Sequence, residues 1–364
     1  WQTNSHRWEM ISSQDTYLAG IITGEQTLTK EQYSCCEREG LLPLVKKLEP
    51  ELEEQFRKEN SHTVAVELAH QLVVIDLLDQ LGEAGIDCLV FKGTALAYLH
   101  YERPWHRSRV DTDLWIRARD VDAAFAALRD SGFEQQVSMP GRIACGECAF
   151  ERTDRFGAGH SIDLHWRFNN NWMLAGAAEF EELWSGRIPL PALGSYAWTC
   201  TNPFALLIAC VHRGAHLGEV AYKIGDFSRL ESESTLWLYD IHILSELLSD
   251  SEWVYWSELV INRGFSEFSI SGLQRSRLLF GTKVPEWVLS DLREAPGQLS
   301  MNSLTGRVSS EWQSFRALDG LRKFGFIKQQ LFPDETYMRA RYQGISLPLA
   351  YLKRFFSGLV KRIS

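Results

Sequence analysis

Cys88-Leu89-Val90-Phe91-Lys92-Gly93-Thr94-Ala95-Leu96 reads as an apolar strand that runs into a Gly-Thr turn and opens a helix. Backbone N–H groups at such a turn point toward an anion, so a phosphate fits there. Shortly after comes Arg107-Ser108-Arg109-Val110-Asp111-Thr112-Asp113-Leu114-Trp115-Ile116, a second strand. Asp111 and Asp113 share one face of it, because strand side chains alternate with period two. Two converging carboxylates repel unless a cation lies between them, and oxygen ligands of this kind suit Mg²⁺. A phosphate cradle beside a Mg²⁺ site is the equipment of phosphoryl or nucleotidyl transfer.

Upstream, the stretch 30–84 reads as helical. Leu41-Leu42 and Leu44-Val45 begin one apolar series. A stronger one runs Val64, Leu68, Leu72, Ile75, Leu78 and Leu81, and Gly82 and Gly85 end it. Downstream, 93–100 reads as a short helix and 121–130 as another, with Gly132 as its stop. Residues 133–137 and 148–152 read as strands, and Ile162-Asp163-Leu164-His165-Trp166 as a further, acidic one. A short helix at 179–184 and a strand at 196–200 follow. From Asn202-Pro203 the character changes, and helices are expected at 204–217, 235–248, 251–263, 266–279, 285–294 and 311–331. The order implies an α+β fold with a mixed sheet core and a large helical C-terminal region. The expected division is 1–60, an N-terminal helical region; 61–200, the core; and 201–364, a helical domain.

Lys92-Gly93-Thr94, Arg107, Asp111-x-Asp113 and the later Asp163 strand together resemble the polymerase-beta-like nucleotidyltransferase superfamily, and within it the uncharacterised nucleotidyltransferase family proteins. The chain is more distantly similar to nucleotidyltransferase toxins of abortive-infection systems. Thr94 stands where that superfamily more often carries Gly or Ser. The resemblance implies that a nucleoside monophosphate passes from a nucleoside triphosphate such as ATP to an acceptor. That acceptor is a small molecule, a peptide or protein, or an RNA end. Asp111, Asp113 and Asp163 would hold Mg²⁺ or Mn²⁺ and serve as the catalytic carboxylates, while Lys92, Gly93, Thr94 and Arg107 would bind the triphosphate. His165, two residues after Asp163, would orient a carboxylate or touch substrate, and His212 or Asp240 would face the cleft. A chain that keeps the fold without turnover, as a nucleotide sensor or scaffold, is the competing reading.

Composition limits the alternatives. With 364 residues the chain buries a substantial core, and 47 acidic against 38 basic side chains give a net charge of −9. That balance argues against broad, nonspecific nucleic-acid binding through a basic surface. Seven cysteines, an odd number spread along the chain, do not make a disulfide framework and fit a reducing cytoplasm. No run reaches the ~18 apolar residues of a membrane-spanning helix. Trp1 to Arg7 carry neither an initiator Met nor an apolar signal core and read as a trimmed end.

Several tempting motifs have plainer explanations. Cys145-Gly146-Glu147-Cys148 is a lone CxxC without the second pair a structural zinc site needs, and Cys35-Cys36 reads as packing. His212 and His216 stand four apart on a helix, but Arg213 occupies the place where zinc peptidases carry Glu. No Gly-x-x-x-x-Gly-Lys, Gly-x-Gly-x-x-Gly or Gly-x-Ser-x-Gly sequence occurs, so P-loop, dinucleotide-binding and serine-hydrolase readings fall away. Trp105 and Trp166 are candidates for stacking on a base. Near the C-terminus, Leu352, Phe355, Phe356, Leu359, Val360 and Ile363 form an apolar stripe beside Lys353, Arg354, Lys361 and Arg362. This basic amphipathic helix is expected to dock on its own domain or a partner, with a membrane surface as the alternative.

Overall fold

The computed structural model describes residues 12–136, 139–218, 223–224, 227–228, 234–301 and 307–363. Val137 and Trp1 to Arg7, which entered the sequence reading, lie outside them, as do the side chains beyond Phe355. Two helices, α1 (Ser13–Thr23) and α2 (Tyr33–Arg38), lead into the long α3 (Glu53–Glu83). Then come β1 (Cys88–Phe91), α4 (Lys92–Leu99), β2 (Thr112–Ile116), α5 (Val121–Asp130), β3 (Glu134–Gln135), β4 (Glu147–Thr153) and β5 (Gly159–His165). Short elements α6 (Trp172–Ala175), α7 (Phe180–Ser185), β6 (Ile188–Pro189) and β7 (Trp198–Thr199) close the sheet. The chain continues through α8 (Asn202–Gly218), a β8 (Lys223–Ile224) and β9 (Phe227–Ser228) ribbon, α9 (Thr235–Leu247), α10 (Asp250–Arg263), α11 (Ser266–Phe280) and α12 (Glu286–Glu294). It finishes with α13 (Arg307–Ala317), α14 (Gly320–Leu331), α15 (Glu335–Arg341) and α16 (Leu347–Ile363).

The seven strands form one mixed sheet in the order β3-β4-β5-β2-β1-β7-β6. β2 runs parallel to β5 and β1 parallel to β7, while β1–β2 and β4–β5 are antiparallel. β1 and β2 are buried along their whole length because both faces of the sheet are covered. On one face, Val90, Leu114, Ile162 and Phe150 pack with Val74, Leu77 and Leu81 of α3 and Phe125 and Leu128 of α5. On the other, Leu89, Phe91 and Trp115 join a core built from α8 to α12. The fold is thus α+β, with helices dominating after β7.

Three sequence expectations shift. Residues 30–52 are not continuous helix: α2 gives way to 3-10 turns at Leu42–Leu44 and Pro50–Leu52, and Leu28 pairs with Leu48. Pro43 and Pro50 lack the N–H a continuing helix needs. Along α3, Leu78 and Leu81 are buried but Leu68 and Leu72 are exposed, because the face set against the sheet is Val73, Val74, Leu77, Leu78 and Leu81. The expected helix over 311–331 is two helices, α13 and α14. Asp319 breaks it, with extended backbone and a side chain that accepts from Arg322 N–H at 3.1 Å as an N-cap.

Candidate active site

The sheet's register brings the acidic residues together. β2 and β5 pair with Asp113 opposite Asp163 and Trp115 opposite His165, so these four share a face. Asp111 lies just before β2, two residues from Asp113 and on the same side. Across β5, antiparallel β4 sets Glu147 opposite His165. Among the described residues, Asp113, Asp163 and His165 form a group whose ligand atoms all lie within 4.8 Å of one another.

Lys92 Nζ donates to Asp113 Oδ1 at 2.6 Å, and His165 Nε2 stands 3.0 Å from the same oxygen. Burial pushes the Asp113 carboxyl up, but Lys92 and His165 outweigh it and hold the group well below the ordinary carboxylate range. Asp163 shifts the other way, raised by burial and by the charge of Asp113. Asp111, half-buried beside both carboxylates, is pushed up from 3.8 to about 7, by loss of solvent first and then by the charges of Asp113 and Asp163.

That shift has a sign that can be measured. A carboxyl whose pKa is raised in the folded state favours the fold only while protonated. Its contribution is complete below about 3.8 and is lost as pH climbs through about 7. In EDTA, Asp111→Asn is therefore expected to gain stability over the parent as pH rises through this window. The gain should then level off at on the order of 1–4 kcal/mol. Thermal melts of both proteins across pH check it, and a gap that does not change with pH refutes it.

The turn before the acids is strained where it carries charge. Lys92 has φ +53°, the left-handed region that non-glycine residues pay about 1–2 kcal/mol to occupy. No side chain caps the start of α4, so its first N–H groups have no N-cap side chain as acceptor. Gly93 lies at a close approach: a Cβ there would meet Arg107 Nη1 at 3.1 Å, so the guanidinium would have to shift by a few tenths of an ångström. Thr94 turns its hydroxyl into the sheet, toward Thr112 Oγ1 at 3.0 Å. Thr112 Oγ1 in turn lies 2.8 Å from Nε2 of His70, whose pKa is pushed down to about 3, mainly by burial.

Arg107 reaches across to the helical region. Its Nη2 donates to Asp240 Oδ2 of α9 at 2.7 Å, and Tyr101 Oη donates to Asp240 Oδ1 at 2.7 Å. Arg109 pairs instead with Glu67 at 2.6 Å. His212 of α8 packs edge-on to Trp237 at 5.2 Å. Burial and the nearby Lys92 charge keep its imidazole neutral, with a pKa well below the usual value. Trp166 is buried in the core on the opposite face of the sheet from the acids, and Trp105 lies under the Arg103 guanidinium. All seven cysteines are free thiols; Cys148 is buried on that same opposite face, and Cys145 donates to Glu147 O.

Glu147 and Asn170 were not singled out from sequence. Glu147 Oε2 lies 3.1 Å from His165 Nδ1, without the alignment of a hydrogen bond, and Asn170 Nδ2 donates to Glu147 Oε1 at 2.7 Å. The available signal was an acidic residue opening the strand next to the His165 strand, inside the CxxC considered for zinc.

Among the described residues, no helix is long and apolar enough to cross a membrane. No curated protein matches the chain. A family model described as "Uncharacterised nucleotidyltransferase" matches residues 32–281, well over half the sequence and all of the acidic site. The chain therefore belongs to this uncharacterised nucleotidyltransferase family.

Proposed function

We propose that the protein is a divalent-metal-dependent nucleotidyltransferase acting from a nucleoside triphosphate. The observation that carries this reading is the β2–β5 register, which sets Asp113 beside Asp163 with Asp111 adjacent, next to the uncapped start of α4. The donor set fits a hard cation. It offers carboxylate oxygens with one imidazole nitrogen, and Asp111 is a carboxyl whose pKa is raised by burial and by the charges of Asp113 and Asp163. Asp111, Asp113 and Asp163 would hold Mg²⁺ or Mn²⁺, with His165 as a further ligand or as the group that orients Asp113. Such an ion neutralises charge on the phosphates and favours departure of pyrophosphate.

The chain's own residues supply the rest. Backbone N–H groups of Gly93 and Thr94 bind phosphate oxygens, and Lys92 leaves Asp113 to pair with them as a point charge. Arg107, packed against Gly93 and held by Asp240, braces that turn. An acceptor oxygen or nitrogen attacks the α-phosphorus, the bond to the bridging oxygen breaks, and pyrophosphate carries away the electron pair. Asp163 would lower the acceptor's proton affinity or complete the metal shell. The regions 61–200 and 201–364 then form the two sides of the site, with His212 and Asp240 on the helical side.

The test is a thermal shift with each nucleoside triphosphate, with and without Mg²⁺, followed by a pyrophosphate-release assay with cell extract as the source of acceptor. The expected result is Mg²⁺-dependent stabilisation by at least one triphosphate together with release. Stabilisation without release would favour the sensor, and neither would reject the reading.

A further inference from the structure

α14 is docked on the sheet domain by one face and bare on the other. On the docked side Gln329 Oε1 accepts from Ile143 N–H at 2.8 Å and Ala144 N–H at 2.9 Å, Phe326 is buried, and Gly325 lies against Ile143. On the outer side Leu321 is 90% exposed and Phe324 73%, with Ile327 and Leu331 beside them. These four recur three or four residues apart, which makes one stripe of a helix. α16 repeats the arrangement. Tyr351 donates to Pro333 O and Arg354 Nη2 to Gln330 O at the end of α14, while Leu349 and Leu352, 57% and 53% exposed, face away. Exposed Phe332 sits between the two helices, 6.2 Å from the Tyr351 ring. Solvent-exposed apolar side chains of this size, grouped on neighbouring helices, mark a surface that another phase covers.

Charge identifies the covering phase. Residues 318–355 hold seven Lys and Arg against three Asp and Glu, inside a chain whose net charge is −9. Exposed Arg322 and Lys328 lie on α14 and exposed Lys353 on α16, the helices that carry the stripes, and exposed Arg341 ends α15 between them. A second copy of the chain would bring the same basic surface against itself, which like-charge repulsion opposes. An anionic bilayer takes both components at once: apolar side chains enter the headgroup region while Lys and Arg meet lipid phosphates.

We propose that the outer faces of α14 and α16 form a basic, apolar surface that docks on anionic lipid membranes. The surface does not depend on the chemistry at the sheet. The experiment is co-sedimentation of the full chain with phosphatidylcholine vesicles and with vesicles that also carry phosphatidylglycerol, at low and high NaCl. Binding is expected with the anionic vesicles and should weaken with salt. Lys328→Glu with Lys353→Glu should lower the partition by about tenfold or more, and Phe324→Ser with Leu352→Ser by a similar factor. All four side chains are exposed, so unchanged melting temperatures verify that the variants fold. Equal partition onto neutral and anionic vesicles, or onto neither, would overturn the proposal. So would self-association on gel filtration that the Phe324 and Leu352 substitutions abolish, which would assign the face to a second copy.

Discussion

Asp113→Asn is expected to reduce pyrophosphate release by about 10³-fold, the largest loss of any single change in the site. Asp113 is the meeting point of the cluster: it accepts from Lys92, contacts His165 and pairs in register with Asp163. In the proposed reaction, removing its charge would weaken the hold on a cation expected to contribute several kcal/mol of charge stabilisation, and each ~1.4 kcal/mol is a factor of ten in rate. The same substitution strips Lys92 of its partner, so lost activity alone would be ambiguous. Stabilisation by a triphosphate with and without Mg²⁺ separates the effects. The variant should melt cooperatively yet lose the Mg²⁺-dependent increment. Retention of that increment and of the rate would remove Asp113 from the metal site.

Asp240→Ala is expected to destabilise the protein by about 3–5 kcal/mol, the largest structural effect. It leaves the buried Arg107 guanidinium without the carboxylate it pairs with, and removes the acceptor of Tyr101 as well. Burial and then the Asp240 charge raise the Tyr101 pKa, whereas burial lowers that of Arg107 and Asp240 outweighs it, leaving the guanidinium above its ordinary value. Arg107→Ala should cost a comparable amount, and the double variant clearly less than the sum, because it leaves neither charge stranded. Arg107→Lys should not rescue, since an ammonium lacks the fork that spans both carboxylate oxygens. Urea titrations of the four variants and the parent measure this. Single variants within ~1 kcal/mol of the parent would show that the pair contributes little.

The two findings differ in how far sequence could reach them. β1, the turn at Gly93, β2 and β5 are short-range patterns, and their residue types announced strand, turn and converging acids directly. The pairing of Asp113 with Asp163 is a parallel contact between segments separated by α5, β3 and β4, and no local period encodes that register. Asp240 had a local clue: a carboxylate in the apolar run Leu238-Tyr239-Asp240-Ile241 needs a buried partner. Which cation supplies it depends on how α9 packs, so Arg107 read equally well as a phosphate ligand. The exposed Leu68 and Leu72 show the same limit, since a helical stripe reports a preferred face without saying how far along the helix the sheet extends. The break at Asp319 was readable, because Asp followed by Gly inside a helical pattern is a familiar start signal, but the flanking apolar residues continued the period across it.

Position 92 answers to two opposed demands, and lysine meets the second at the expense of the first. Its backbone geometry suits glycine, yet glycine carries no ammonium; arginine keeps a positive charge, yet brings a Cβ into the same unfavourable φ and a wider head to an oxygen only 2.6 Å from Nζ. Conformational tension and electrostatic duty are thus fused in one residue at the threshold of α4.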